Sequence, residues 1–217
     1  MGLSAGRRDG QLRFDLAHIA GGRLRVTVGS GRVELGRAAG QQVRVRWTVP
    51  ALLPKTWRER LPGGQGPRVR QDGSGLRIQS RRARLRIDVP DVVDVTVSMR
   101  RGDITSWGAG CPLTLTTGGQ ASGRELTSPR LRVTARYANL HFAAVPAEVV
   151  VDAPASLLAL PAGRYAVVAP QDAEVEVEQA ASAPSRIEVS GGRTRILVAK
   201  PPVDLRRELP GEEQPGG

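Results

Sequence analysis

Val95-Thr96-Val97, Leu113-Thr114-Leu115, Leu131-Arg132-Val133 and Val149-Val150-Val151 stand eighteen residues apart and share one pattern, apolar–x–apolar. The i, i+2 spacing puts both apolar side chains on the same face of a strand. Between these segments lie weaker strands around Ile104, Leu140/Phe142 and Leu158/Leu160, separated by Gly102-Asp103, Gly108, Gly118-Gly119 and Pro146. Read at nine residues, positions 95, 104, 113, 122, 131, 140, 149, 158 and 167 are apolar except Ser122. A short fixed repeat of strands predicts an all-β chain: a β-solenoid or β-prism-like stack of short strands with an approximately 18-residue repeat. Each unit there buries its apolar face only against the next. Ser122 marks an expected bent rung. Beyond Val167 the register slips, as expected of a cap.

Working outward, residues 76–198 form the predicted repeat block, opened by Leu76-Arg77-Ile78 and Leu85-Arg86-Ile87-Asp88-Val89. Residues 51–75 lose the alternation and carry Pro54, Pro62, Gly63, Gly64, Gly66 and Pro67, so a long loop and a subdomain boundary are expected there. Before it, residues 12–50 read as an N-terminal hairpin subdomain in which Gly29-Ser30-Gly31 turns Leu24-Val28 into Val33-Leu35. Residues 1–11 read as a flexible leader and 199–217 as a disordered tail. The start has no apolar targeting core and no 18-residue apolar stretch occurs, so the expectation is a cytoplasmic protein with no transmembrane segment.

Composition narrows the function classes. Aromatic residues are 3% of 217, so the core is built from Val, Leu, Ile and Ala. The single cysteine, Cys111, excludes an internal disulfide and reads as core filler. His18 and His141 are the only histidines, too few with Cys111 for a four-ligand Cys/His zinc site. Calcium rolls also use two nine-residue units, but they need a loop aspartate each time, and only Gly102-Asp103-Ile104 fits. A six-residue acyltransferase helix fails because positions 101, 107, 119, 125 and 137 hold Arg, Trp, Gly, Glu and Tyr. Arg101-Gly102-Asp103 spells an adhesive tripeptide, but reads here as a turn between two strands. No phosphate-binding glycine motif and no nucleophile elbow is present. No catalytic residue, cofactor or metal ligand is assigned.

The arginines are the remaining lead. Net charge is +11, divided as +15 over residues 1–136 (25 Lys+Arg, 10 Asp+Glu) and −4 over 137–217 (7 and 11). Arg44/Arg46, Arg84/Arg86 and Arg130/Arg132 are i, i+2 pairs on the solvent faces of their strands and are the candidate anion-binding residues. Glu174, Glu176 and Glu178 form a small acidic counterpart.

Gly22-Arg23-Leu24-Arg25-Val26-Thr27-Val28, the Gly-Arg-Val-Glu-Leu strand after it, Leu85 to Pro90, Val95-Thr96-Val97 and Gly102-Asp103-Ile104 together resemble the bacterial putative-adhesin (adhesin domain-containing) family of β-strand repeat proteins of unknown function. The resemblance spans roughly residues 12–198. It implies a stacked-strand fold and supplies no catalytic residues. The expected function is a non-enzymatic β-repeat scaffold or interaction protein that binds a protein partner or itself. The alternative is a basic anion-binding module for nucleic acid or an anionic membrane surface. A third, weaker reading is an enzyme working on a polysaccharide along the stack.

Overall fold

The computed structural model describes residues 2–4, 9–16, 19, 22–48, 66–73, 75–163, 165–169, 174–176, 185–191 and 193–199. The alternation of small branched residues with polar ones yields strands throughout. In chain order they are β1 (Gly2–Ser4), β2 (Asp9–Asp15), β3 (Arg23–Arg37), β4 (Gln42–Thr48), β5 (Arg68–Asp72), β6 (Gly75–Val89), β7 (Asp94–Trp107), β8 (Leu113–Thr117) and β9 (Gln120–Leu126). They continue as β10 (Arg130–Thr134), β11 (Tyr137–Phe142), β12 (Glu148–Asp152), β13 (Ala155–Leu160), β14 (Tyr165–Val168), β15 (Glu174–Glu176), β16 (Ser185–Ser190) and β17 (Arg193–Val198). The fold is all-β with a mixed sheet.

Two ladders organise these strands. In the first, the N-terminal halves of β6, β3 and β7 lead into β8, β10, β12, β16 and β14, all in parallel. In the second, the C-terminal halves of the same three strands lead into β9, β11, β13, β17 and β15. Antiparallel pairs close the basic end: β5 on β6 with β1 beyond it, and β4 on β6 with β2 beyond it. Val95, Leu113, Leu131 and Val149 share one column of the first ladder, across β7, β8, β10 and β12.

The two ladders meet at a corner where burial changes parity. In β3 the buried residues are Leu24, Val26 and Val28, then Val33 and Leu35; in β7 they are Val95, Val97 and Met99, then Ile104 and Ser106. Both sets face one continuous core that runs from Ile19 to Ile196. Gly31 (φ +136°) and Gly102 (φ +121°) occupy the corner in adjacent strands. A Cβ on Gly102 would overlap the Gly31 carbonyl oxygen, and one on Gly119 would overlap that of Gly102. Asp103 completes the corner, its Oδ1 accepting the Gln120 backbone N–H at 3.1 Å. The Arg-Gly-Asp tripeptide is thus not the expected turn between two strands but a bend inside one, with its aspartate engaged by the next.

Several expectations are corrected. Gly29-Ser30-Gly31 is no hairpin turn: β3 runs through it as one fifteen-residue strand, paired in parallel with β6 and β7. The glycines supply a bend, and the distant partners outcompete a local return of the chain. Within the expected 51–75 loop, Arg68–Asp72 is a strand, paired with both β6 and Gly2–Ser4 of the expected leader. Asp9–Asp15 likewise belongs to β2. Residues 51–65 and 200–217 lie outside the described residues, as does Glu178. Ser122 sits in register with Thr105 and Asn139, and the irregularity falls just after it, where Leu140 pairs Gly123 but Phe142 pairs Leu126. The slip after Val167 has a topological cause. β16 lies between β12 and β14, so Val167 pairs Ile187 instead of Val149.

Cys111 lies in the connector before β8 and is 1% exposed. Burial pushes its thiol up from 9.0 to about 12, with Asp91 and Asp94 adding to the rise. The thiol therefore ionises in the unfolded chain from about pH 9 and in the folded one only near pH 12. Its contribution to stability is complete below pH 9 and is lost as pH rises through that window, at about 1 kcal/mol per pH unit. Urea titrations at pH 8 to 11 are expected to show this decline, and Cys111→Ala is expected to flatten it. An unchanged slope in the variant contradicts the assignment.

Candidate functional site

Because burial alternates along each strand, every second residue of the first ladder projects outward, and in-register strands stack these residues into rows. One row reads Arg70, Arg77, Arg25, Thr96, Thr114, Arg132 across β5, β6, β3, β7, β8 and β10. At about 4.8 Å per strand it extends roughly 24 Å. Along it opens a groove of about 480 Å³, walled by Arg23, Arg25 and Arg77 on one side and Arg130 and Arg132 on the other. Thr96 and Thr114 lie between the walls, and Asp94 and Glu148 contribute the groove's two carboxylates. Five guanidinium groups thus face two carboxylates.

The sequence-derived arginines separate into two sets. Arg130 and Arg132 belong to this groove. Arg44, Arg46, Arg84 and Arg86 come together on the second ladder, where β4 and β6 pair Arg46 with Arg86, Arg44 with Asp88 and Thr48 with Arg84. Asp88 holds that group: its Oδ2 accepts from Arg46 at 2.8 Å and its Oδ1 lies 3.5 Å from Arg86 Nε. Sequence reasoning missed Arg23, Arg25 and Arg77. Their alternation with buried Leu24, Val26 and Ile78 was visible, but their convergence with Arg130 and Arg132 depends on register.

A further regularity is the number of arginines placed directly opposite one another. Arg13 faces Arg44, Arg46 faces Arg86, Arg32 faces Arg84, Arg25 faces Arg77, and Arg77 faces Arg70. Like charges directly opposite destabilise a sheet. Around Asp88 a carboxylate offsets this.

Other candidates resolve into structural roles. His141 is exposed and its Nε2 lies 3.0 Å from Asn139 Oδ1. Glu174 and Glu176 are in β15, with Glu174 in register with Arg195. Among the described residues no group of three or more His, Cys, Asp or Glu is placed to hold a metal ion, and no helix is long and apolar enough to cross a membrane.

No protein-family model matches the chain, and no curated protein matches it in sequence. Among solved structures it is similar to one from Clostridium sporogenes described as a putative cell adhesion protein, with 12% identity, TM-score 0.46, and coverage of 88% of this chain and 99% of that one. A second, from Bacteroides fragilis and described as a putative adhesin, gives 11% identity, TM-score 0.43, and 91% and 100% coverage. A third, from Parabacteroides distasonis and described as a putative lipid binding protein, gives 10% identity, TM-score 0.29, and 89% and 98% coverage.

Proposed function

We propose that this protein is a non-enzymatic β-scaffold that binds a linear polyanion along the groove between Arg23/Arg25/Arg77 and Arg130/Arg132. The observation that carries this reading is that five arginines from β3, β6 and β10 line one groove with two carboxylates among its lining residues, a local excess of positive charge that a bound anion neutralises. The arginine forks suit phosphate, sulfate or carboxylate, and the Thr96 and Thr114 hydroxyls add neutral donors. A linear polymer can lie along the row and meet arginines on several strands in succession. The eighteen-residue register of β7, β8, β10 and β12 supports reading residues 76–198 as a β-solenoid, and the resemblance to adhesin-domain proteins belongs to the same proposal.

The test is binding of a fluorescent 20-base-pair duplex and of heparin at 50 mM and 300 mM salt, beside vesicles containing phosphatidylserine. Affinity for at least one polymer is expected to fall steeply with salt, as counterion release requires. It is expected to fall about tenfold more when Arg25→Gln and Arg132→Gln are combined, at roughly 0.7 kcal/mol per charge. Absence of polymer binding at 50 mM salt, tighter binding to vesicles, or indifference to the double substitution overturns the proposal.

A further inference from the structure

The second ladder carries a separate recess of different character. Asp88, Gly36 and Trp107 are in register across β6, β3 and β7, so glycine separates a carboxylate from an indole. A Cβ on Gly36 would stand 2.7 Å from Asp88 Oδ1; the bare backbone lets that carboxylate fold over it. Trp107 is 56% exposed, unlike Trp47, which is buried. Its indole N–H donates to Glu125 Oε2 at 3.0 Å. Glu125 has φ +53°, the only positive value at a non-glycine among the described residues. Strained backbone of this kind costs stability and tends to cluster at ligand sites. The recess measures about 500 Å³ and is also lined by Arg37, Arg86 and Thr127.

The charges here pair off. Arg37 is bound to Asp91 at 2.5 Å, and Arg46 and Arg86 share Asp88. A free cation meets the guanidinium groups of Arg37 and Arg86, and a free anion meets Asp88 and Glu125. What remains is one broad aromatic face beside two fixed acceptors. That set is complementary to a neutral ring with a flat C–H face and several hydroxyl donors. We infer that the Trp107 recess binds a pyranose ring of a neutral saccharide, its face on the indole and its hydroxyls on Asp88 and Glu125.

The test uses the full chain in 0.5 M NaCl, where polyanion binding is suppressed, so the two sites are read independently. Saturation-transfer NMR is run with maltohexaose, cellohexaose, chitohexaose and mannohexaose at millimolar concentration. Transfer to the ring protons of at least one is expected. Its affinity is expected to fall at least tenfold in Trp107→Ala, to be largely kept in Trp107→Phe, and to be unaffected by Arg25→Gln with Arg132→Gln. Urea midpoints confirm that each variant is folded. No transfer to any of the four, undiminished transfer in Trp107→Ala, or stronger binding of tetramethylammonium or adenosine overturns the inference.

Discussion

Gly102→Ala is expected to lower the stability of this protein by about 4 kcal/mol, a large part of the ~5–15 kcal/mol typical of a domain. Two costs combine. The residue sits at φ +121°, where an L side chain is strained, a term of about 1–3 kcal/mol. A methyl group would also overlap the Gly31 carbonyl oxygen and stand 2.9 Å from Met99 Sδ, an overpacking term of about 1–3 kcal/mol. The backbone oxygen cannot swing aside, because β3 and β7 are paired on both sides of the corner. Gly40→Ala separates the terms: its φ is +92° but nothing lies within 4 Å of the added carbon. It should cost only about 1 kcal/mol. Urea unfolding of both variants measures the difference. Equal losses would show that steric packing at the corner contributes nothing.

Asp88→Asn is expected to cost about 2 kcal/mol at low salt, and distinctly less at 0.5 M NaCl. The side chain of Asp88 is 13% exposed and joins Arg46 and Arg86, which oppose each other across β4 and β6, while Arg44 faces it in register. Asparagine keeps the shape and loses the charge that offsets these guanidinium groups, so like-charge opposition is left standing. The arginines are about half exposed, and solvent screening holds the loss well below that of a fully buried pair. Salt shortens the range of the repulsion and recovers part of it. Chemical denaturation at 0.05 and 0.5 M NaCl decides the point, and a deficit independent of salt would assign the loss to packing instead.

Both predictions rest on register, where sequence reading reached its limit. The existence of strands was legible because alternation of Val, Leu and Ile with polar residues allows one buried face. The eighteen-residue column was legible because Val95, Leu113, Leu131 and Val149 repeat its apolar pattern. In the second ladder the same arithmetic misleads. The corner shortens from four residues between Met99 and Ile104 to three between Thr117 and Ala121 and two between Ala135 and Ala138. Ile104 and Leu140 therefore fall in different columns, with Ile104 opposite Ala121 and Leu140 opposite Gly123. Ser122 broke the beat because of this shift, and its side chain is half-buried.

By itself the sequence determined that the chain is built of strands, which side chains of the repeat block point inward, and that the arginines lie outward at the basic end. Those properties follow from alternation within a few residues of chain. Only the tertiary structure decided that Gly29-Ser30-Gly31 bends a strand instead of reversing it, that Arg25 and Arg77 converge with Arg130 and Arg132, and that Gly36 opens a recess between Asp88 and Trp107. Each depends on which distant strand lies alongside and in what register. A strand's backbone hydrogen bonds are the same for every partner, so that choice is made by the packing of the whole core.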